Sequence, residues 1–170
     1  MGIIFDLDQT LVDSRIAKPL RDRRDWNGVY NLIPSFSLYP TVLDLLQYVH
    51  ANQIPLAIVT SSPRPYCQKV IDYFALPIDT CVCYHDTSKH KPHPEPIILA
   101  VEKMRVINRG SILSFGDDAQ DIMASNGANV ISVACMWGTS DAKSLLSSNP
   151  NHICNTPEDM STLIREYFAL

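Results

Sequence analysis

The hydrophobic residues of the chain fall into two patterns, short apolar runs and longer stretches with helical spacing. The short runs, most of them continuous, lie at residues 2–7, 55–59, 80–84, 111–115 and 129–134. Runs of this length are typical of parallel strands that are buried on both faces. Helical spacing is found between them, at residues 40–51, 65–74, 96–105, 118–126 and 141–146. Because strands alternate with helices, we predict a three-layer α/β/α sandwich around a Rossmann-like parallel sheet.

The last helix is predicted to begin after Thr156. The Thr156 side chain can cap the helix, Pro157 suits its first turn, and Asp159 completes a capping box. The apolar face predicted for this helix comprises Met160, Leu163, Ile164, Tyr167 and Phe168. No internal repeat or low-complexity linker divides the chain, so residues 1–170 are expected to form one domain.

Composition and charge narrow the functional classes. The chain has 170 residues, 46% of them apolar, and a formal net charge of −4, which is ordinary for one soluble domain. No apolar run approaches the roughly 20 residues of a membrane span, so neither a membrane partner nor a secretory signal is expected. The negative charge disfavours broad nucleic-acid binding, which needs many basic residues. A local basic patch and an oligomeric state remain open.

The five cysteines follow no disulfide-framework spacing; they are Cys67, Cys81, Cys83, Cys135 and Cys154. An odd number without such spacing predicts reduced thiols and a cytoplasmic protein. Cys81 and Cys83 alternate within a predicted strand, shortly before His85, His90 and His93. Two buried thiols explain this pattern better than a structural zinc site, because the segment does not match zinc-ligand spacing.

The first candidate site residues follow the first strand. Asp6 and Asp8 are two positions apart, and side chains with this spacing share a face of a strand. Ligands of open α/β sheets bind at the carboxyl ends of the strands, where both carboxylates would lie. Two neighbouring carboxylates repel each other and need a proton or a cation to coexist. The alternative is that Asp8 caps a turn and Asp6 faces water.

Two further segments carry polar groups that suit a phosphate. Thr60 and Ser61 follow the strand at 55–59, just before a helix, where hydroxyls and free amides bind an anion or simply cap the helix. Lys91 stands before three prolines at alternating positions, which keep this segment out of a helix until Pro96. A fixed ammonium group would neutralise charge on phosphoryl oxygens, whereas most lysines are merely solvated.

The segment after the strand at 111–115 is acidic, with Asp117, Asp118 and Asp121. Asp117 and Asp121 are four residues apart and could face one side of the first helical turn, whereas Asp118 is a candidate cap. The carboxylates of Asp6 and Asp117, with a carbonyl group and waters, are the hard oxygen ligands that suit Mg²⁺. We therefore predict Mg²⁺ at this edge of the sheet.

These four segments, in this order, resemble the motifs of the haloacid dehalogenase superfamily. Residues 6–10 resemble its Asp-x-Asp-x-Thr signature, and residues 116–121 resemble its Gly-Asp-x-x-x-Asp signature. Thr60 and Lys91 stand where that superfamily has a Ser/Thr and a Lys. The joint occurrence is far more specific than any single segment, and it spans most of the chain. The resemblance implies a parallel α/β fold and phosphoryl chemistry that depends on Mg²⁺.

The resemblance also implies roles for individual residues. Asp6 would be the nucleophile that forms an aspartyl-phosphate. Asp8 would protonate the leaving group and afterwards activate water. Thr60 and Lys91 would hold the phosphoryl group. Haloacid dehalogenases and phosphonatases of this superfamily lack an acid at the position of Asp8, so the resemblance favours a phosphatase.

Metal and substrate contacts are implied in the same way. Mg²⁺ would be bound by Asp6 through its carboxylate, by Asp117 and by the backbone carbonyl of Asp8. Asp121 would support the site. Thr10 and Ser61 are assigned to substrate binding. One departure from the family is Gln9, which stands where many relatives have glycine. This change affects the turn and removes no catalytic group.

Residues 13–39 are too few for a full helical cap, so the chain resembles the capless subclass, with a short flap at 13–39. An open site disfavours a phosphomutase, which needs enclosure, and it admits a small phosphorylated molecule or a macromolecular end. The basic residues of the flap are Arg15, Lys18, Arg21, Arg23 and Arg24, and its aromatic residues include Trp26, Tyr30 and Phe36. They could stack a base, grip an extra phosphate or form a solvated strip.

Two other classes of function remain open. Receiver-type signalling modules also place acids, a threonine, a lysine and Mg²⁺ on a parallel sheet. Their phosphoacceptor follows the third strand, however, whereas Asp6 follows the first. A non-catalytic binding or regulatory subunit with the same fold is the second alternative, and a test of substrate turnover would decide it.

Overall fold

The computed structural model describes residues 1–169 of the chain. The strands are β1 (Gly2–Phe5), β2 (Val12–Asp13), β3 (Ser37–Leu38), β4 (Leu56–Val59), β5 (Thr80–Val82), β6 (Ile112–Gly116), β7 (Ile131–Cys135) and β8 (His152–Cys154). Six of them form one parallel sheet in the order β5-β4-β1-β6-β7-β8. Strands β2 and β3 form a separate antiparallel pair.

The helices cover both faces of this sheet. They are α1 (Lys18–Asp22), α2 (Trp26–Leu32), α3 (Val42–Ala51), α4 (Arg64–Phe74), α5 (Glu95–Lys103), α6 (Ala119–Gly127), α7 (Ala142–Ser147) and α8 (Pro157–Phe168). Buried side chains of α2, α3, α4 and α8 join the core on one face, and those of α5 and α6 join the core on the other. The predicted three-layer α/β/α sandwich is thereby confirmed.

Strand β1 lies between β4 and β6 in the sheet, and this position explains why all of its residues are apolar. Ile3 and Phe5 point into one core and Ile4 into the other, and all three are buried. Phe5 is in register with Ile58 of β4 and Phe115 of β6. Because the three strands are parallel, the residues that follow them meet at one edge of the sheet.

The structure contains elements that the hydrophobic pattern does not predict. They are strand β8, the β2–β3 pair and the helices α1 and α2. Strand β8 is a three-residue edge strand in which His152 and Ile153 are exposed, so it has no apolar run. Helices α1 and α2 each have at most one buried side chain. Elements this short and exposed leave little trace in a hydrophobic pattern.

Helix α8 confirms one prediction and corrects another. The side chain of Thr156 accepts from the Asp159 N–H, and the Asp159 carboxylate accepts from the Thr156 N–H, so the predicted capping box is present. Tyr167, however, is wrong as a member of the apolar face. It is 38% exposed, and its hydroxyl donates to the carbonyl of Gly110. None of the helices in residues 1–169 is both long and apolar enough to cross a membrane.

Candidate active site

The carboxyl ends of the three central strands bring the predicted site residues together. Asp6 directly follows β1, Thr60 directly follows β4, and Asp117 directly follows β6. Lys91 reaches the same place from the loop between β5 and α5. All four residues line one cavity of about 220 Å³, together with Ser61 and Asp121. The structure thus assembles side chains that are 111 positions apart in the chain, from Asp6 to Asp117.

Lys91 is the cation at the centre of this cluster. Its Nζ donates to Asp6 Oδ1 at 2.7 Å, to Asp121 Oδ1 at 2.5 Å and to the carbonyl of Val59 at 3.1 Å. The Lys91 side chain is only 6% exposed. Burial alone would lower the pKa of Lys91, but Asp121 and Asp6 outweigh burial and hold it above its ordinary value. Lys91 therefore remains charged.

The Asp117 carboxylate is positioned by Thr10, a residue of the first motif. The buried hydroxyl of Thr10 donates to Asp117 Oδ1 at 2.9 Å, and the Trp137 indole N–H donates to the Thr10 carbonyl at 3.1 Å. Thr10 was predicted to bind substrate, and its position corrects this prediction. The side chain has no exposed surface and does not line the cavity. Its contact instead orients the Asp117 carboxylate.

The carboxylates of Asp6, Asp117 and Asp121 are suited to hold a cation. Each offers an oxygen, and these oxygens lie within 4.8 Å of one another. Burial raises the pKa of Asp6 to about 7 and that of Asp117 to about 8, and repulsion between the carboxylates adds to the effect. Lys91 offsets only one of the three negative charges. The potential ligand atoms are all oxygens, and their negative charge exceeds the positive charge of Lys91. Both properties fit a hard divalent cation such as Mg²⁺.

The cysteine segment does not form a comparable cluster. Within residues 1–169, Asp6, Asp117 and Asp121 are the only group of three or more His, Cys, Asp or Glu side chains close enough to share an ion. Cys67 and Cys83 are instead buried in the hydrophobic core, and the partly buried Cys81 packs against it. All five cysteines are free thiols. The interpretation of Cys81 and Cys83 as packed thiols therefore agrees with the structure.

Asp8 occupies a different environment from Asp6. Its Oδ1 accepts hydrogen bonds from the hydroxyls of Ser14 at 2.5 Å and Tyr66 at 2.6 Å, and it forms an ion pair with the Arg21 guanidinium. Its Oδ2 accepts from the Ser62 hydroxyl at 3.1 Å. Asp8 therefore does not cap a turn, and its side chain lies at the edge of the cavity.

The partners of Asp8 were missed by the sequence analysis. Ser14 and Arg21 belong to the predicted flap, and Arg21 was flagged only as one of several basic residues there. Tyr66 is fully buried on α4, and its apolar neighbours gave no sign of a polar contact. Burial opposes the charge of Arg21, yet Asp8 and Tyr66 raise the Arg21 pKa above its ordinary value. No pattern in the sequence indicates these contacts of Asp8, because they depend on which segments meet in the folded chain.

The remaining polar residues divide into ligand-facing and structural groups. Ser61 is exposed in the cavity, whereas Thr60, which also lines it, is largely buried and accepts from the Ser62 N–H at 3.1 Å. Asp118 caps α6, as the alternative interpretation held, and its N–H donates to Asp121 Oδ2 at 3.1 Å. Asp121 thus fixes the start of α6 with one oxygen and binds Lys91 with the other.

Two tight backbone approaches shape the site. Gln9 has φ 69°, the left-handed region that favours glycine, which explains why a glycine is common at this turn. A Cβ added at Gly138 would lie 1.9 Å from the Gln9 carbonyl oxygen, so glycine is needed where this loop crosses the turn. A Cβ at Gly116 would lie 2.3 Å from the Asp121 Cβ. Glycine there lets Asp121 come close to β6.

The fold and the four strand-end segments define a hydrolase family. The sequence profile of the haloacid dehalogenase-like hydrolases matches residues 20–135, well over half of the chain. The chain belongs to this family. The matched range contains Thr60, Lys91 and Asp117, whereas Asp6 and Asp8 precede it.

Individual relatives sharpen this assignment. The chain is 29% identical to the pyrophosphatase PpaX of Oceanobacillus iheyensis over 77% of its own length and 62% of that protein. It is 30% identical to the phosphoglycolate phosphatase of Escherichia coli over 72% of its own length and 49% of that protein. The chain therefore spans about half to three-fifths of these curated relatives.

A solved structure of a hydrolase from Pseudomonas syringae has the same fold. It superposes with a TM-score of 0.79 and 19% identity, covering 97% of this chain and 98% of that chain. Similarity at this level of identity concerns the fold, and it confirms the parallel-sheet architecture predicted from the sequence.

Proposed function

We propose that the protein is a Mg²⁺-dependent phosphatase that hydrolyses a phosphomonoester through an aspartyl-phosphate on Asp6. The observation that carries this proposal is the pairing of Asp6 with Lys91 beside a 220 Å³ cavity that also holds Asp117 and Ser61. A phosphate dianion approaches a carboxylate only where positive charge offsets their repulsion. Lys91 supplies part of that charge, and a cation held by the carboxylates would supply the rest.

In the first half-reaction, an oxygen of Asp6 attacks the phosphorus atom. Lys91 binds Asp6 Oδ1 and leaves Oδ2 without a hydrogen-bond partner in the described part of the chain, so Oδ2 is the free nucleophile. The bond from phosphorus to the leaving oxygen breaks as the bond to Asp6 forms. Asp8, in its protonated form, donates its proton to the leaving oxygen.

In the second half-reaction, water hydrolyses the aspartyl-phosphate. The Asp8 carboxylate accepts a proton from the attacking water, and the bond between phosphorus and Asp6 breaks. Four donors surround the Asp8 carboxylate and fix its position at the edge of the cavity. Thr60, Ser61 and Lys91 are proposed to hold the phosphoryl group in both steps.

The metal-binding residues are proposed to be Asp6, Asp117 and the backbone carbonyl of Asp8. When bound, Mg²⁺ would neutralise charge on the phosphoryl oxygens and orient them for in-line transfer. Asp121 supports the site through its contact with Lys91 at 2.5 Å. Because both Asp121 oxygens already accept hydrogen bonds, Asp121 is proposed as a supporting residue rather than a ligand.

The domain organisation, the cellular location and the class of substrate are part of the same proposal. Residues 1–170 are proposed to act as one cytoplasmic domain in which residues 13–39 form a short flap over the edge of the site. The relatives named pyrophosphatase and phosphoglycolate phosphatase support a phosphorylated small molecule as substrate.

The test is phosphate release from a panel of phosphomonoesters, with Mg²⁺ or with a chelator. We expect release only with Mg²⁺, and a loss of at least about 10³-fold in Asp6→Asn, since a nucleophile is removed. Acid quench followed by mass spectrometry should find phosphoaspartate at Asp6 in the unmodified protein. Asp44→Asn, an exposed carboxylate on α3, is the matched control. Normal turnover by a folded Asp6→Asn protein would reject the mechanism.

A further inference from the structure

A second cavity of about 400 Å³ adjoins the phosphoryl site. The two cavities share Asp8, Ser61 and Ser62. The walls of the second cavity come from the flap on one side and from the loops after β4 and β5 on the other. This cavity is the larger of the two, and nothing in the proposed phosphoryl transfer uses it.

The position of Asp8 connects the second cavity to the reaction. Asp8 Oδ2 contacts Ser62, which lines both cavities, and Asp8 Oδ1 contacts Arg21, which lines only the second. The proton donor must lie beside the leaving oxygen. A phosphomonoester with its phosphoryl group in the first cavity therefore extends its leaving group past Asp8 into the second.

The walls of the second cavity favour a flat ring. Trp26 packs against Tyr66 with ring centroids 5.8 Å apart, which fixes its ring at the cavity. Tyr84 stacks on His90 at 4.0 Å and remains 37% exposed. Two aromatic side chains held by their neighbours offer surfaces on which a ring stacks with little loss of side-chain freedom. A small aliphatic alcohol would leave most of this volume to water.

The charged side chains of the cavity differ in whether they are already paired with a neighbour. Arg21 is engaged by Asp8, and Asp22 is paired with Lys18 at 2.8 Å. Arg24 is exposed and forms no ion pair with any residue in 1–169. A guanidinium group that is free to donate suits the carbonyl and ring-nitrogen acceptors at the edge of a heterocyclic base.

We propose that this cavity binds the leaving group of the substrate, and that the leaving group carries a planar heteroaromatic ring, as in a nucleoside monophosphate. The proposal rests on the phosphatase function proposed above. Trp26 and Tyr84 are its specificity-determining residues, and they contact the ring rather than the reacting atoms.

The experiment compares adenosine 5′-monophosphate with ribose 5-phosphate, because both release a primary alcohol and differ in the base. We expect kcat/KM for the nucleotide to be at least about tenfold higher, as stacking of a base contributes this much or more. Tyr84→Ala and Trp26→Leu should each lower the ratio of the two kcat/KM values by at least about fivefold, because ribose 5-phosphate has no base to stack. Tyr73→Ala, which removes an exposed tyrosine of α4, is the matched control and should change neither.

The outcomes separate the two proposals. Equal kcat/KM for the two esters, or a ratio unchanged in Tyr84→Ala, would overturn the ring-binding proposal and leave the phosphatase proposal intact. A loss on both esters in Trp26→Leu would report a disturbance of Tyr66 and Asp8, and Tyr84→Ala would then decide. Absence of Mg²⁺-dependent release from every ester would overturn both.

Discussion

Asp6 and Asp8 leave the same central strand two residues apart, yet the protein surrounds them in opposite ways. Asp6 shares a single ammonium group with Asp121 and lies near Asp117, so negative charge exceeds positive charge around it. Asp8 receives four donors, one of them the guanidinium of Arg21. The two side chains are similarly accessible, 13% and 16% exposed. The partners of the two carboxylates therefore differ more than their exposed fractions do.

This difference indicates whether each carboxylate requires a bound cation to balance its charge. The Asp6 cluster is electrostatically incomplete and gains by binding a cation. The Asp8 network is complete within the chain, so its stability should depend little on metal.

Removing the shared cation should have the largest effect. In Lys91→Met, Asp6 and Asp121 lose their shared ammonium partner. We expect phosphate release to fall at least about 10³-fold, and the unfolding free energy to fall by about 3–5 kcal/mol. Phosphate assays and urea unfolding measure the two effects. Lys89→Met, an exposed residue of the same loop, is the control and should resemble the unmodified protein. A Lys91→Met protein of normal stability would contradict the central place given to this ion pair.

The second prediction concerns pH and metal. Because the folded pKa values of Asp6 and Asp117, about 7 and about 8, exceed the ordinary 3.8, the folded chain retains protons that the unfolded chain releases. Without metal, these two groups should make the unfolding free energy fall as pH rises from about 4 to about 8, and not below about 4. Mg²⁺ should reduce the fall, because it binds the ionised carboxylates.

Asp117→Asn separates this effect from the titration of other groups. Near pH 8 without metal, the variant should be more stable than the unmodified protein by about 1–3 kcal/mol, since one pKa unit corresponds to about 1.4 kcal/mol. It should also lose much of the stabilisation by Mg²⁺. Thermal unfolding at several pH values, with chelator or Mg²⁺, provides the measurement. A metal-free Asp117→Asn protein that is less stable near pH 8 would show that the carboxylates do not repel.

The smallest effect is expected in the Asp8 network. Arg21→Gln should lower the unfolding free energy by about 1–3 kcal/mol, because it removes the charged partner of a largely buried carboxylate while three donors remain. Lys18→Gln, in the same short helix, breaks an ion pair whose two side chains are more than 60% exposed and should change nothing measurable. Denaturant unfolding compares the two variants. Equal losses with and without Mg²⁺ are expected for Arg21→Gln, whereas a loss that appears only with Mg²⁺ would contradict a self-contained network.

The sheet and its strand-end residues were predictable because their signals are local. The run at residues 2–7 is apolar apart from Asp6, because β1 is buried on both faces. Asp6, Thr60 and Asp117 directly follow β1, β4 and β6. Strand β8 was not predictable, because an exposed three-residue edge strand is fixed by pairing with β7 rather than by its own composition. Tyr167 shows the same limit, since helical spacing does not reveal which side of α8 meets the sheet.

The order and chemistry of the motifs were determined by the sequence alone. Acids and hydroxyls at strand ends require only that parallel strands share an edge, and this requirement fixes where Asp6, Thr60 and Asp117 meet. The tertiary structure alone decided the partners of Asp8, the place of Thr10 behind Asp117 and the cavity beside the flap. Those contacts join segments such as the flap and α4 whose separation in the chain carries no information about distance in space. Hydrogen bonds and charge pairs act over a few ångströms, so their partners become known only when the fold brings them together.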